Sequence, residues 1–440
     1  MSLGTMRTVA VLGGGIGGLA ASYYLCKSPQ VTKLIVLESS SRFGGWLWST
    51  RRSDGAVFEH GPRGIRPTGA VGCNTLNMVD DLGLARDILP VTSSHVASRS
   101  RYVYVAGQLH RLPSGLSGLL RTFPPFSRPL LFNVAKEIFT RKGTGADESV
   151  HSFVSRRLGK ELADIAADSL CRGVFAGDCR KLSVRSCFPF LFEAEQRRGS
   201  LTLGLLLDSA QRSIRESWAQ WSLRTGVETL PEAITEFLQQ SGRAQLHKDA
   251  AVQHITPSTS GWKIYMEDGV ISADHIISAL PAKGKRMAAD LLRGFGHLIP
   301  SSEDPGLLGV VYDSDFFPQH NRPSGQTTRL TIMLGGAWFQ EVFGDPEHVK
   351  EESLLTKATE AVRYHLGVTA TPSWSRVSVQ KDCIPQYYQG HFQRVESSRS
   401  FIKEKNLSLS LIGSSYDGVS VNDVIFSGRT AVQDLLGGGI

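Results

Sequence analysis

An apolar run, Val9-Ala10-Val11-Leu12, leads directly into Gly13-Gly14-Gly15-Ile16-Gly17-Gly18, and helix-favouring residues take over near Leu19. The pattern predicts a buried strand, a tight glycine turn and a helix. A second apolar run, Lys33-Leu34-Ile35-Val36-Leu37, predicts a neighbouring strand that ends at Glu38. Residues 146–238 read as mainly helical, with breaks at Pro189 and Gly199, and residues 221–231 signal a return to the opening domain. Strand patterns follow around Ala250–Ile255, Trp262–Tyr265 and His275–Ala279. The stretch from Gly306 to Val379 reads as strand-rich, interrupted by a helix near Glu351–Leu366. A last strand, Leu409–Gly413, precedes a helix containing Ser427-Gly428-Arg429.

Strands alternating with helices around a G-x-G-x-x-G turn place the chain in the α/β class, α+β overall, with a Rossmann-like dinucleotide-binding domain. Glycine alone lets the backbone bend there and approach a pyrophosphate, which the free N–H groups of the helix then hold. Glu38 stands twenty residues past Gly18, where an acid meets ribose hydroxyls. Arg42, Gly44 and Gly45 extend it into an E-x-x-x-R-x-G-G run that resembles two-domain FAD oxidoreductases. In that pattern the glycines pass beneath the phosphates and Arg42 neutralises one of them. The late strand, turn and helix resemble those that return to the cofactor in flavoproteins, where the helix N-terminus favours negative charge on a reduced flavin.

Composition is ordinary for a globular protein: 41% hydrophobic and 20% charged over 440 residues. The net charge of +7 comes without a Lys/Arg block interleaved with aromatics, which argues against nucleic acid. It suits acidic small molecules or an anionic membrane surface. The six cysteines form no C-x-x-C pair and no zinc spacing, and neither H-E-x-x-H nor G-x-S-x-G occurs. No metal is expected. No apolar stretch reaches the length of a spanning helix, so membrane contact would be peripheral. Residues 112–142 mix Leu and Phe with Arg121, Arg128, Lys136, Arg141 and Lys142. They read equally as an interfacial segment or as a helical core flap with a solvated basic face.

Longer strings carry a specific resemblance: Phe58-Glu59-His60-Gly61-Pro62-Arg63-Gly64-Ile65-Arg66-Pro67, Asp168 through Gly177, Gly294 through Gly306, Cys383-Ile384-Pro385-Gln386-Tyr387, and Gly413 through Arg429. With these the chain resembles the protoporphyrinogen oxidase family of the animal mitochondrial type, within the monoamine-oxidase-like flavoproteins. The resemblance implies FAD and a six-electron oxidation of protoporphyrinogen IX, with molecular oxygen reduced to hydrogen peroxide. It further implies a homodimer on the outer face of the mitochondrial inner membrane, the intermembrane-space side. Cofactor contacts implied on this chain are Gly13, Gly15, Ile16, Gly17, Gly18, Glu38, Ser39, Arg42, Gly45 and Trp46. Gly61, Pro62, Arg63, Val252, Gly413, Val419, Ser420 and Val421 complete them. The implied substrate walls are Leu170, Gly173, Val174, Phe295, Leu298 and Met333, with Arg101 for a propionate. No side chain is assigned as a catalytic acid or base, because the flavin carries the chemistry. His60 and His297 read as structural.

The implied organisation is FAD-binding at 6–90, 222–282 and 400–437, a helical membrane-associated domain at 91–221, and a mixed-sheet substrate domain at 283–399. One departure stands out. Between Pro281 and Gly294 the family carries a longer stretch, so about one helix and one strand are missing. The expectation is that FAD binding survives while turnover is impaired or lost. A coproporphyrinogen-oxidising enzyme, an amine oxidase and a non-catalytic flavin-binding variant remain the alternatives.

Overall fold

The computed structural model describes residues 8–113, 120–202, 217–281, 286–287, 296–323 and 327–438. Two compact units emerge: Met1–Pro90 with Gln220–Lys283 and Gln393–Ile440, and Val91–Ala219 with Gly284–Phe392.

The first unit is built on a five-stranded parallel sheet. Its order is Leu409–Leu411, His275–Ser278, Thr8–Leu12, Lys33–Leu37 and Ala244–His247. The central strands are buried on both faces, which is why they read as unbroken apolar runs rather than alternations. A three-stranded antiparallel sheet, Val252–Ser258, Gly261–Met266 and Gly269–Ala273, covers one side through Trp262 and Ile264. The helix Ile16–Lys27 begins earlier than its sequence suggests and takes in Gly17 and Gly18. A side chain would collide with backbone at Gly18 and crowd a neighbour at Gly17. A Cβ on Gly18 would lie 1.9 Å from the Gly13 carbonyl oxygen, and one on Gly17 would lie 3.0 Å from Val424. The last helix, Val421–Leu436, packs against the first with Gly428 at the crossing, where a Cβ would lie 3.0 Å from the Ala21 nitrogen.

The second unit holds a mixed five-stranded sheet in the order Thr331–Leu334, Leu307–Val311, Gly296–Leu298, Tyr102–Val105 and Gln108–Arg111. Gly296–Leu298 is antiparallel to one neighbour and parallel to the other, so the strand following the shortened segment is hydrogen-bonded on both sides. Several short helices lie between Val150 and Arg198, including one π-helical turn at Ala163–Ala167. The expected strand-rich stretch up to Val379 is corrected here. Beyond Leu334 lie the helices Phe339–Phe343 and Glu351–Leu366, and residues 367–383 form no regular element. Val377-Ser378-Val379 alternates like a strand but finds no ladder to join.

Candidate functional site

A dinucleotide cradle is assembled within the first unit. Gly13 adopts φ +100°, and its N–H donates to the Leu37 carbonyl at 2.8 Å, so the turn closes between the two central strands. The Glu38 carboxylate accepts the Gly14 N–H at 2.7 Å and the Ser40 N–H at 2.8 Å. The acid is thus oriented by backbone donors before any ribose arrives. Gly44 donates to the Gly14 carbonyl at 2.9 Å, which lays the second glycine pair against the first.

These contacts fit a bound dinucleotide. Gly15 precedes the helix in an ordinary extended conformation, and a Cβ there would meet nothing nearer than Gly45 at 3.9 Å. The helix start has no side-chain cap and no acid in its first turn. An open glycine before uncapped amides is the arrangement a phosphate needs. Arg42 has partners within the protein. Its guanidinium donates to the carbonyls of Phe43, Gly45 and Leu47 and pairs with Glu228 at 3.3 Å. It braces the loop that carries Gly45.

The remaining implied cofactor residues share this unit. A Cβ on Gly61 would lie 2.1 Å from the Trp46 carbonyl oxygen, so Gly61-Pro62 passes directly against that loop. Trp46 is 43% exposed, whereas Arg63 is buried and Ser39 lies at the surface. Val252 opens the antiparallel sheet and is half-buried. Gly413 follows the last strand at φ +102°, and its N–H donates to the Ser427 hydroxyl. Val419 is half-buried, and Val421 is buried in the first turn of the last helix. Ser420 and Asp423 form a reciprocal cap there, so this helix end supplies part of its own negative charge. His60 stacks on Trp48 with ring centroids 4.1 Å apart and reaches the Thr50 hydroxyl, a structural role.

In the second unit one sheet face collects the implied substrate residues. Val103, Leu298, Gly309 and Met333 are successive cross-strand partners, so their side chains share a face, and strand alternation puts Arg101 on it too. The helix Asp168–Phe175 rests on this face. Gly173 makes the contact, because a Cβ there would lie 2.7 Å from Leu298 Cδ2. Leu170 and Val174, at helical spacing from Gly173, remain 44% exposed and half-buried. Arg101 is exposed, Met333 is fully buried beneath the wall, and Phe295 lies outside the described residues. His297 points to the opposite face. It is 1% exposed between the Tyr312 hydroxyl at 2.7 Å and His365 at 2.8 Å, and burial together with His365 pushes its pKa down to about 3.

Reading residues singly missed the other side of this helix. Asp168 and Arg172 are fully buried four residues apart. Asp168 accepts the Ser301 N–H at 2.7 Å, while Arg172 donates to the carbonyls of Asp304, Pro305 and Leu307. The detectable signal was two charges spaced i, i+4 inside an otherwise apolar run.

The helix Leu130–Ile138 inverts the usual pattern. Its buried residue is Glu137, while Leu131, Phe132 and Ile138, with Phe139 just beyond, are exposed. Arg128, Lys136, Arg141 and Lys142 are exposed around them. Among the described residues these apolar groups stay at the surface instead of covering a core. No helix among the described residues is long and apolar enough to cross a membrane.

The sequence profile of the flavin containing amine oxidoreductases matches residues 16–286, and the chain belongs to that family of flavoproteins. FAD is the cofactor that the cradle accommodates. Within the flavoproteins the chain belongs to the protoporphyrinogen oxidase family. It is 46% identical to the human protoporphyrinogen oxidase over 472 positions, covering 98% of each chain. It is 27% identical to the coproporphyrinogen III oxidase of Bacillus subtilis, again over 98% of each. The human alignment is longer than the 440-residue chain, so about 40 positions of that relative have no counterpart here. A crystal structure from Exiguobacterium sp. 255-15 superposes with a TM-score of 0.79 at 20% identity, covering 98% of each chain. A putrescine oxidase structure gives 0.66 at 14%, covering 99% and 100%; both likenesses concern the fold.

Proposed function

We propose that this chain is an FAD-dependent oxidase that converts protoporphyrinogen IX to protoporphyrin IX in heme biosynthesis, passing electrons to molecular oxygen and releasing hydrogen peroxide. The observation that carries the reading is the 46% identity to the human enzyme across 98% of both chains. FAD supplies hydride acceptance when bound. The chain's own residues have simpler tasks. Glu38 is pre-set to receive ribose hydroxyls, and the first helix offers its amides to the pyrophosphate. Leu170, Val174 and Leu298 offer apolar surface to a flat macrocycle. Arg101, exposed at the strand edge, suits a propionate through a bidentate pair.

Residues 6–90, 222–282 and 400–437 serve as the FAD domain in this reading, 91–221 as the membrane-associated domain and 283–399 as the substrate domain. The outward Leu131, Phe132, Ile138 and Phe139, ringed by cations, suit peripheral attachment to an anionic bilayer. Placement on the intermembrane-space side of the mitochondrial inner membrane, as a homodimer, completes the reading by family likeness.

The test is anaerobic addition of protoporphyrinogen to the purified, flavin-loaded protein. Bleaching of the flavin, reversed by air with formation of porphyrin fluorescence, is expected. Flavin that coproporphyrinogen or a polyamine reduces, and protoporphyrinogen does not, would overturn the assignment.

A further inference from the structure

Arg172 is fully buried, and burial lowers its pKa to about 10 against the opposing pull of Asp168 and Asp304. Removing a guanidinium from water costs several kcal/mol, and a leucine or methionine could fill the same space without that cost. Its contacts show what the charge provides. Nη2 donates to the carbonyls of Asp304 at 2.8 Å and Pro305 at 3.1 Å, in the loop that follows the strand carrying Leu298, and of Leu307 at 2.9 Å, which opens the next strand. The guanidinium carbon also sits 4.3 Å from the Trp338 ring centroid, four residues beyond the strand carrying Met333. Nε and Nη1 have no hydrogen-bond partner among the described residues, so the tryptophan ring is what attracts the ion besides the three carbonyls. Two neighbouring contacts tighten the same joint. Asp168 accepts the Ser301 N–H, and the Ala337 N–H donates to the Ala176 carbonyl at 2.8 Å.

One buried cation therefore touches the exits of both strands whose side chains floor the substrate wall, and it projects from the helix that carries Leu170, Gly173 and Val174. The directional bonds fix the helix along its axis as well as against the sheet, which an apolar side chain could not do. Gly173 makes that placement consequential, since the helix lies so close that a Cβ there would meet Leu298 Cδ2 at 2.7 Å and push that side chain aside.

We propose that Arg172 is a positioning residue for porphyrinogen binding, holding Leu170 and Val174 in register with Leu298 so that they form one continuous wall. The proposal rests on the protoporphyrinogen reading above. The wild-type protein is therefore tested first for flavin reduction by protoporphyrinogen and for binding of protoporphyrin IX, followed by fluorescence. If wild type does neither, the functional reading falls and this proposal with it.

If wild type passes, Arg172→Met, Arg172→Lys and Trp338→Leu are compared for flavin content, melting temperature, KM, kcat and the Kd for protoporphyrin IX. Arg172→Met is expected to keep its flavin while KM and Kd both rise about tenfold, since small misplacements of binding groups are costly. Arg172→Lys should recover part of the loss through its charge, and Trp338→Leu should move KM and Kd in the same direction by a smaller factor. A residue important for folding alone would reduce the active fraction, and so kcat and flavin content, while leaving KM and Kd unchanged. That outcome overturns the proposal, as do unchanged constants in flavin-loaded variants. Should Arg172→Met fail to fold, the Trp338→Leu and Arg172→Lys results decide by the same criteria.

Discussion

Gly15 and Gly18 lie three residues apart in one turn, yet alanine at each should do opposite things. At Gly18 the new methyl would stand 1.9 Å from a backbone oxygen, that of Gly13, which no side-chain rotation can relieve. The first helix would have to withdraw from the turn, disturbing the Gly13–Leu37 hydrogen bond and its packing against the last helix. Overpacking of this kind costs about 1–3 kcal/mol where side chains can yield, and more against fixed backbone. At Gly15, φ is −69°, and the methyl has 3.9 Å to its nearest neighbour. The loss of a good N-cap residue and the gain from a stiffer unfolded chain each amount to about 0.5–1 kcal/mol and oppose one another. Stability without cofactor should therefore stay near wild type.

The Gly15 methyl does, however, enter the space a phosphate needs to reach the helix amides. Losing one charge-assisted hydrogen bond, at about 1.5–3 kcal/mol, raises the Kd for FAD by about 10- to 150-fold. The assay is apo-protein titrated with FAD, read by flavin fluorescence, alongside melting curves with and without cofactor. Gly15→Ala should lose the cofactor-induced rise in melting temperature while keeping the apo value, and Gly18→Ala should lower both. A Gly15→Ala protein that binds FAD as tightly as wild type would refute the placement of the phosphate at this turn.

Three further outcomes are expected. Glu137→Gln should lower the urea midpoint by the equivalent of roughly 3 kcal/mol, because it leaves the buried Arg157 short of one of its two carboxylate partners. Burial alone would raise the pKa of Glu137, but hydrogen bonds from Ser200, Leu201 and Thr202 hold it below the usual range. An unchanged midpoint would show that Glu195 suffices for Arg157. His297 and His275, with pKa values pushed down to about 3 and about 4 by burial, stay neutral in the fold while the unfolded chain protonates near pH 6.5. Each should therefore cost about 1.4 kcal/mol of stability per pH unit as pH falls below 6.5, with no effect above it, and His297→Gln should flatten the slope between pH 6.5 and 5. Finally, if the shortened segment matters as expected, side-by-side assays should show flavin content equal to that of the human relative but slower porphyrinogen oxidation; equal turnover and melting temperature would refute that expectation.

The cradle was legible in the sequence because its chemistry is local. A glycine turn, a helix start and an acid at the next strand end lie within 40 residues, and each announces itself by residue type. Arg42 shows where that legibility stops. Its position next to the phosphate glycines suggests an anion contact, whereas its pairing with Glu228, 186 residues away, is revealed only by folding. The strand-like alternation near Val377 failed for a related reason: a strand is defined by its partner, and a pattern carries no information on whether one is present.

The amino-acid order by itself determined the α/β frame, the dinucleotide turn and the family, since these depend on periodicity and on long matched strings. Tertiary structure alone decided how the helix at Asp168–Phe175 is used. Gly173 meets Leu298 while Asp168 and Arg172, on the other side of the same turns, are drawn into backbone carbonyls and an amide more than 130 residues away. Burying a charge is tolerable only where distant backbone groups converge on it, and that convergence exists only in the folded chain.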